Sequence, residues 1–260
     1  MSRGTGQLRL EHLVVGEIPV LYVRTPDGPA KRPVVIHFHG LEATKETDLL
    51  YAWTLAKGGY GVALCENPYH GERAPIQRKG PLDVLRTCFE SALVETLLLH
   101  DHFAARPDCT RDLLLSGRSL GGFRALLAAA DLVKEGKKPK ALVALGAGGD
   151  FRTLLVRSQS PFLKDPILRQ VLGSQVGETL IRHFDPLSRV KDLAYLPIFL
   201  GAGADDKTVP VEATKALAEA LGKAGGPHEM EIVPGLGHGL DARLESWALV
   251  FLRKYCAPGD

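Results

Sequence analysis

The stretch at residues 112–122, DLLLSGRSLGG, constrains this chain more than any other. Leu113, Leu114 and Leu115 predict a short buried strand, and residues 123–133 (FRALLAAADLV) predict a helix. Between them Gly117-Arg118-Ser119-Leu120-Gly121 forms a G-x-S-x-G pentapeptide. A serine on a tight strand-to-helix turn adopts a strained backbone conformation that pushes its hydroxyl outward. Glycines two residues to either side let neighbouring backbone pack that closely.

The rest of the chain alternates strand and helix signals around this turn. Residues 7–15 and 18–25 alternate apolar and polar side chains about Gly16-Glu17 and predict an antiparallel edge hairpin. Further strands are expected at 33–39 (PVVIHFH), 60–65, 140–146, 196–202 and 229–233, with helices at 46–57, 82–106, 123–133, 211–224 and 240–255. This order describes an α/β protein with a mostly parallel sheet covered by helices on both faces. Right-handed crossovers then place the functional loops on one edge of the sheet. Residues 147–195 carry no strand signal but three helical pieces, at 151–157, 166–172 and 178–184, so a helical cap over that edge is expected.

Composition bounds the partners. At 260 residues a single domain is expected, and 45% hydrophobic with 24% charged residues is ordinary for a globular protein. The net charge of +2 comes with interspersed signs, so neither a nucleic-acid stripe nor a membrane-binding polybasic tail is expected. The first fifteen residues lack a signal-peptide pattern, and no apolar run approaches the roughly 20 residues of a membrane span; a cytoplasmic monomer or homodimer is the expectation. Cys65, Cys88, Cys109 and Cys256 are widely spaced, which predicts reduced, mostly buried thiols and neither metal nor cofactor.

A serine hydroxyl is a weak nucleophile until a base takes its proton. Among nine histidines, His238 is the candidate: it lies in PGLGHGL, after the strand at 229–233, flanked by glycines that let the loop reach across the sheet edge. A base of this kind needs a carboxylate to hold its tautomer. Asp205 and Asp206 follow the strand at 196–202, and Asp150 follows the one before it. The oxyanion of an acyl-transfer intermediate needs preorganised donors. The N–H of Leu120, at a helix start, is one; the N–H of Leu41, aimed by the turn at Gly40, is the other.

The order serine, aspartate, histidine and the acid-loop pattern G-x-x-D-x-x-V-P, here residues 203–210, resemble the α/β-hydrolases, and the pattern singles out Asp206. His39-Gly40 with Lys45-Glu46, and His70-Gly71-Glu72-Arg73, resemble the HG…KE and HGER signatures of small prokaryotic serine esterases in the dienelactone-hydrolase-like and prolyl-oligopeptidase-like branch. The resemblance covers nearly the whole chain outside the insertion. It implies the α/β-hydrolase fold with a helical cap before the acid strand, and a cofactor-free carboxylesterase acting on small-molecule esters through an acyl-enzyme. Amides, thioesters or transfer to other alcohols would use the same residues, and a non-catalytic ligand-binding member is the second class. Dienelactone hydrolase has cysteine where Ser119 stands, and the propeller of prolyl oligopeptidases is not expected in a chain of this length.

Other polar residues read as structural. His39 is expected to shape its loop, Asp101-His102 to be a solvated helix-surface pair, and Cys65 a small buried residue. His70, Glu72 and Arg73 fit either a site entrance or a loop-stabilising ion pair.

Overall fold

The computed structural model describes residues 7–77 and 79–259. Eight strands form one sheet: β1 (Arg9–Val15), β2 (Ile18–Arg24), β3 (Arg32–Phe38), β4 (Gly61–Cys65), β5 (Cys109–Arg118), β6 (Ala141–Leu145), β7 (Ile198–Gly203) and β8 (His228–Val233). Their spatial order is β1-β2-β4-β3-β5-β6-β7-β8; the β1–β2 and β2–β4 pairs are antiparallel and the remaining neighbours parallel. The expected hairpin is therefore the edge, in register from Arg9 opposite Arg24 to Val15 opposite Ile18.

Strands buried on both faces send alternate side chains to two cores. Leu113 and Leu115 of β5, with Leu142 and Ala144 of β6, enter one; Leu114, Val143 and Leu145 enter the other. The first core is roofed by α3 (Ala92–Ala104), α4 (Leu120–Leu132) and α9 (Val211–Lys223). The second is closed by α1 (Leu49–Lys57) and α10 (Ala242–Tyr255), whose Leu55, Leu244 and Phe251 are buried there.

One predicted element differs. The helical run at 82–106 divides into α2 (Pro81–Glu90) and α3 at Ser91, whose hydroxyl accepts a hydrogen bond from Arg124 Nη2 at 3.2 Å. Both segments pack on α4, but beyond it they diverge: α3 also packs on β5, whereas α2 also reaches the insertion.

The insertion between β6 and β7 contains α5 (Phe151–Arg157), α6 (Pro166–Leu172), α7 (Gln175–Phe184) and α8 (Val190–Leu193). Its two ends are held together by buried Asp185, which accepts from the N–H groups of Asp150, Phe151 and Leu187 at 2.9 Å each. Its far turn is tied to the β7–α9 loop: Gln159 N–H donates to Lys207 O and Ser158 Oγ–H to Thr208 O, both at 2.7 Å. Among the described residues no helix is long and apolar enough to cross a membrane.

Candidate active site

Ser119 links β5 to α4 with φ 53° and ψ −120°, a region that side chains other than glycine rarely occupy. Its N–H donates to Leu145 O at 2.8 Å, which fixes the turn against β6. The neighbouring glycines are required by contact. A Cβ on Gly117 would lie 2.1 Å from Gly121 O, and one on Gly121 would lie 1.9 Å from Phe38 O. The turn therefore presses β5, α4 and the end of β3 together with no room for a methyl group.

The structure brings Ser119, His238 and Asp206 together from three loops at the carboxyl edge of the sheet. Ser119 Oγ is 2.8 Å from His238 Nε2, and His238 Nδ1 is 2.7 Å from Asp206 Oδ2. Asp206 is almost fully buried, and its other oxygen accepts from the N–H groups of Thr208 at 2.8 Å and Val209 at 2.9 Å. Neither alternative acid is in this chain of contacts. Asp205 is exposed. Asp150 is spent on the N-terminus of α5, its carboxylate accepting from Thr153 N–H at 3.1 Å.

Leu120 is the first residue of α4, so its N–H has no partner within the helix, and Leu41 lies on the wall of the same cavity. In the turn at Leu41 the left-handed residue is Glu42 (φ 56°). Gly40 faces the nucleophile side of the cavity: a methyl group there would lie in contact with Ser119 Cβ at 3.4 Å.

The expected outward hydroxyl is in fact enclosed. Ser119 is only 7% exposed, at the floor of a cavity of about 390 Å³ roofed by the insertion. Phe89 of α2, Phe123 of α4 and Phe151, Leu168, Ile181 and Phe184 of the insertion supply its walls. The contribution of α2 was not visible in the sequence, where the 3.6-residue periodicity of Leu85 and Phe89 reads as core packing.

Around the site, two largely buried polar clusters replace apolar packing, the second of them reaching the cavity at Arg118, and sequence reasoning missed both. In the first, Arg124 is wholly buried; it pairs with Glu95, donates to Asn67 Oδ1 at 2.7 Å and lies over the Phe38 ring at 4.3 Å. Arg73 joins Glu95 through two contacts, at 2.8 and 3.1 Å. Burial pushes the Glu95 carboxyl up, but the two guanidinium groups outweigh it and hold the group below its ordinary range. The visible signal was an arginine inside the otherwise apolar run FRALLAAA. In the second cluster, His37 Nε2 and Arg118 Nε reach the two oxygens of Asp48, at 3.0 and 2.8 Å, and His37 Nδ1 lies 3.1 Å from Ser116 Oγ.

His39 sits below the cavity with its Nδ1 2.7 Å from Gly40 O and its Nε2 2.8 Å from Glu66 Oε1, which fixes the loop leading to Leu41. Of the HGER residues, Arg73 pairs with Glu95 and Glu72 with Lys45, while the His70 ring packs edge-on against His39. None of the three lines the cavity. Asp101 contacts His100 and Lys137, not His102, whose ring packs on Phe103. Cys65 is fully buried, and burial pushes its thiol far above the ordinary range; the Cys88 thiol is raised to about 11 for the same reason. No group of three or more metal-ligating side chains occurs among the described residues.

With this geometry in hand, comparison with known proteins gives three kinds of match. The model of the prolyl oligopeptidase family matches residues 96–250. Esterase YjfP of Escherichia coli (strain K12) is 22% identical over 254 residues, 95% of this chain and 99% of that one. The 2,6-dihydropseudooxynicotine hydrolase of Paenarthrobacter nicotinovorans is 38% identical over 120 residues, 45% of this chain and 30% of that one. Among solved structures, esterase B from Lactobacillus rhamnosis (HN001) superposes with a TM-score of 0.73 at 18% identity, over 95% of this chain and 85% of that one.

Proposed function

The chain belongs to the prolyl oligopeptidase family, within the α/β-hydrolases, and we propose that it is a serine carboxylesterase acting through an acyl-enzyme. The observation that carries this reading is the unbroken series of contacts from Ser119 Oγ to His238 to buried Asp206. In it, His238 Nε2 takes the hydroxyl proton as Ser119 attacks the ester carbonyl, and Asp206 holds the ring in the tautomer that makes this transfer possible. The N–H groups of Leu120 and Leu41 receive the oxyanion, assisted by the N-terminus of α4. His238 then protonates the departing alcohol, and water repeats the sequence on the acyl group.

The match to an esterase along nearly the full chain supports an ester over a peptide bond. So does the cavity, whose aromatic and aliphatic walls suit an apolar acyl or alcohol group and offer little to a peptide backbone.

The test is labelling with a fluorophosphonate, run on the native protein and Ser119→Ala, with chromogenic esters of graded acyl length assayed on the same samples. Labelling and turnover that vanish together in the variant support the reading. A native protein that neither labels nor turns over any ester sinks it and favours the ligand-binding alternative.

A further inference from the structure

Arg118 occupies the variable position immediately before the nucleophile, and its placement exceeds what a structural ion pair requires. Its Nε–H donates to Asp48 Oδ1 at 2.8 Å, and among the described residues neither Nη1 nor Nη2 has an acceptor. Arg118 borders the cavity, and its guanidinium lies near Ser119: a methyl group on Gly40 would sit 3.4 Å from Ser119 Cβ, 3.5 Å from Arg118 Cζ and 3.6 Å from Arg118 Nη1. The guanidinium and the Ser119 side chain therefore flank the same space beside Gly40, and the outer fork of the guanidinium is unused.

The support beneath Arg118 is built and rigid. Asp48 is 3% exposed and spans Arg118 and His37; His37 and Tyr51 both reach Ser116 Oγ, and all three of those residues are buried. Burial pushes the Asp48 carboxyl up, but His37 and Arg118 outweigh it and keep the group ionised. A flexible cation would be free to turn to solvent, whereas one held through Nε keeps its outer edge in place. The other charged groups at the cavity belong to its mouth: Arg86 and Glu42 are exposed, and Arg86 is engaged by Glu90 at 2.8 Å.

A fixed cation with unused donors, set in an apolar enclosure, favours a ligand that brings its own anion. We propose that Arg118 is a specificity residue that binds a carboxylate on the substrate, so that the preferred esters are amphiphilic: an apolar portion for the cavity and a carboxylate close to the scissile carbonyl. This rests on the serine esterase reading of the same site and names its substrate class.

The test compares two pairs of 4-nitrophenyl or alkyl esters of matched shape: a hemiester of a short dicarboxylic acid against its methyl-capped diester, and an ester of a short hydroxy acid against its methyl-capped form. The first pair puts the carboxylate on the acyl side and the second on the alcohol side. The native protein should favour the acid of at least one pair by 10-fold or more in kcat/KM. Arg118→Met should remove roughly 10- to 100-fold from that acid, chiefly through KM, while its neutral partner changes less than about threefold; this is the range expected for losing charge-assisted hydrogen bonds. Arg118→Lys should restore part of the preference, because it returns the charge without the fork. Equal losses on both members of a pair would mean that Arg118 supports the turn or the oxyanion, and would overturn the proposal, as would a native protein indifferent to the carboxylate. Calorimetric binding of the same acids to Ser119→Ala, with and without Arg118→Met, reads the contact without turnover. A carboxylate preference there, in a chain that fails fluorophosphonate labelling, would keep the binding site and discard the esterase; no preference in a chain that labels would do the reverse.

Discussion

The strained turn at Ser119 predicts a blunted or inverted response to glycine. Ser119→Ala and Ser119→Gly both lack the hydroxyl and its contact with His238, so they differ only by a methyl group at φ 53°, ψ −120°. At an unstrained buried position, replacing alanine by glycine costs about 0.5–1 kcal/mol through backbone freedom, and about 0.8 kcal/mol through lost methyl burial. Holding a side chain in this part of backbone space costs of order 1–3 kcal/mol, which glycine avoids. The strain relief offsets the two costs, leaving Ser119→Gly between about 0.8 kcal/mol less stable and about 1.7 kcal/mol more stable than Ser119→Ala. Ala125, wholly buried in the interior of α4, supplies the reference; Ala125→Gly should cost about 2 kcal/mol. Equilibrium urea unfolding with matched m-values measures both steps. On heating, each kcal/mol corresponds to roughly 2–4 °C for a chain of this size. If the glycine step at 119 costs as much as the step at 125, the backbone there stores no strain and the argument fails.

Three further outcomes follow from the geometry. Asp206→Asn should lower kcat on a good ester by about 10³- to 10⁴-fold, by favouring the wrong histidine tautomer, while Asp205→Asn stays within a few-fold of native; equal effects would move the acid to Asp205. Glu95→Gln leaves the buried Arg124 guanidinium poorly compensated and should cost about 3 kcal/mol in urea. Because the native Glu95 carboxyl is held below its ordinary value, its contribution is complete above the unfolded value of about 4.3 and is lost as pH falls through the lower native one; the stability difference between native protein and Glu95→Gln should therefore shrink on acidification below that point. Ile181→Trp, projecting into the cavity, should reduce kcat/KM for long acyl esters by about fourfold for each methylene excluded while sparing acetyl esters, and a uniform loss across chain lengths would place the acyl group elsewhere.

The parts of the fold legible in sequence were those written as local conflict or strict alternation. The glycines at 117 and 121 announced a turn that no other residue fits, and the short β-branched and leucine-rich runs announced strands covered on both faces. Ser91 was invisible because its backbone, at φ −80° and ψ −9°, stays near the helical region, and the apolar spacing of Leu85, Phe89, Leu93 and Leu97 continues across it. The cavity was invisible for a related reason: a phenylalanine facing a substrate and one facing a core have the same period. Arg118 sits at a motif position that accepts any residue, and Asp48 lies 70 residues away from it, so their pairing emerges only when β3 and β5 lie side by side.

The ties between the insertion and the β7–α9 loop bear on how such a protein can change. Ser158 and Gln159 of the insertion hold the backbone oxygens of Thr208 and Lys207, and the N–H groups of Thr208 and Val209 hold the carboxylate of Asp206. The segment that shapes the cavity is thus stitched to the peptide units that position the acid. A different insertion grafted between β6 and β7 would alter the fit of the substrate and the seating of Asp206 in one stroke. The insertion is not an interchangeable module, and new specificities are more accessible through side chains on its inner wall than through exchange of the whole segment.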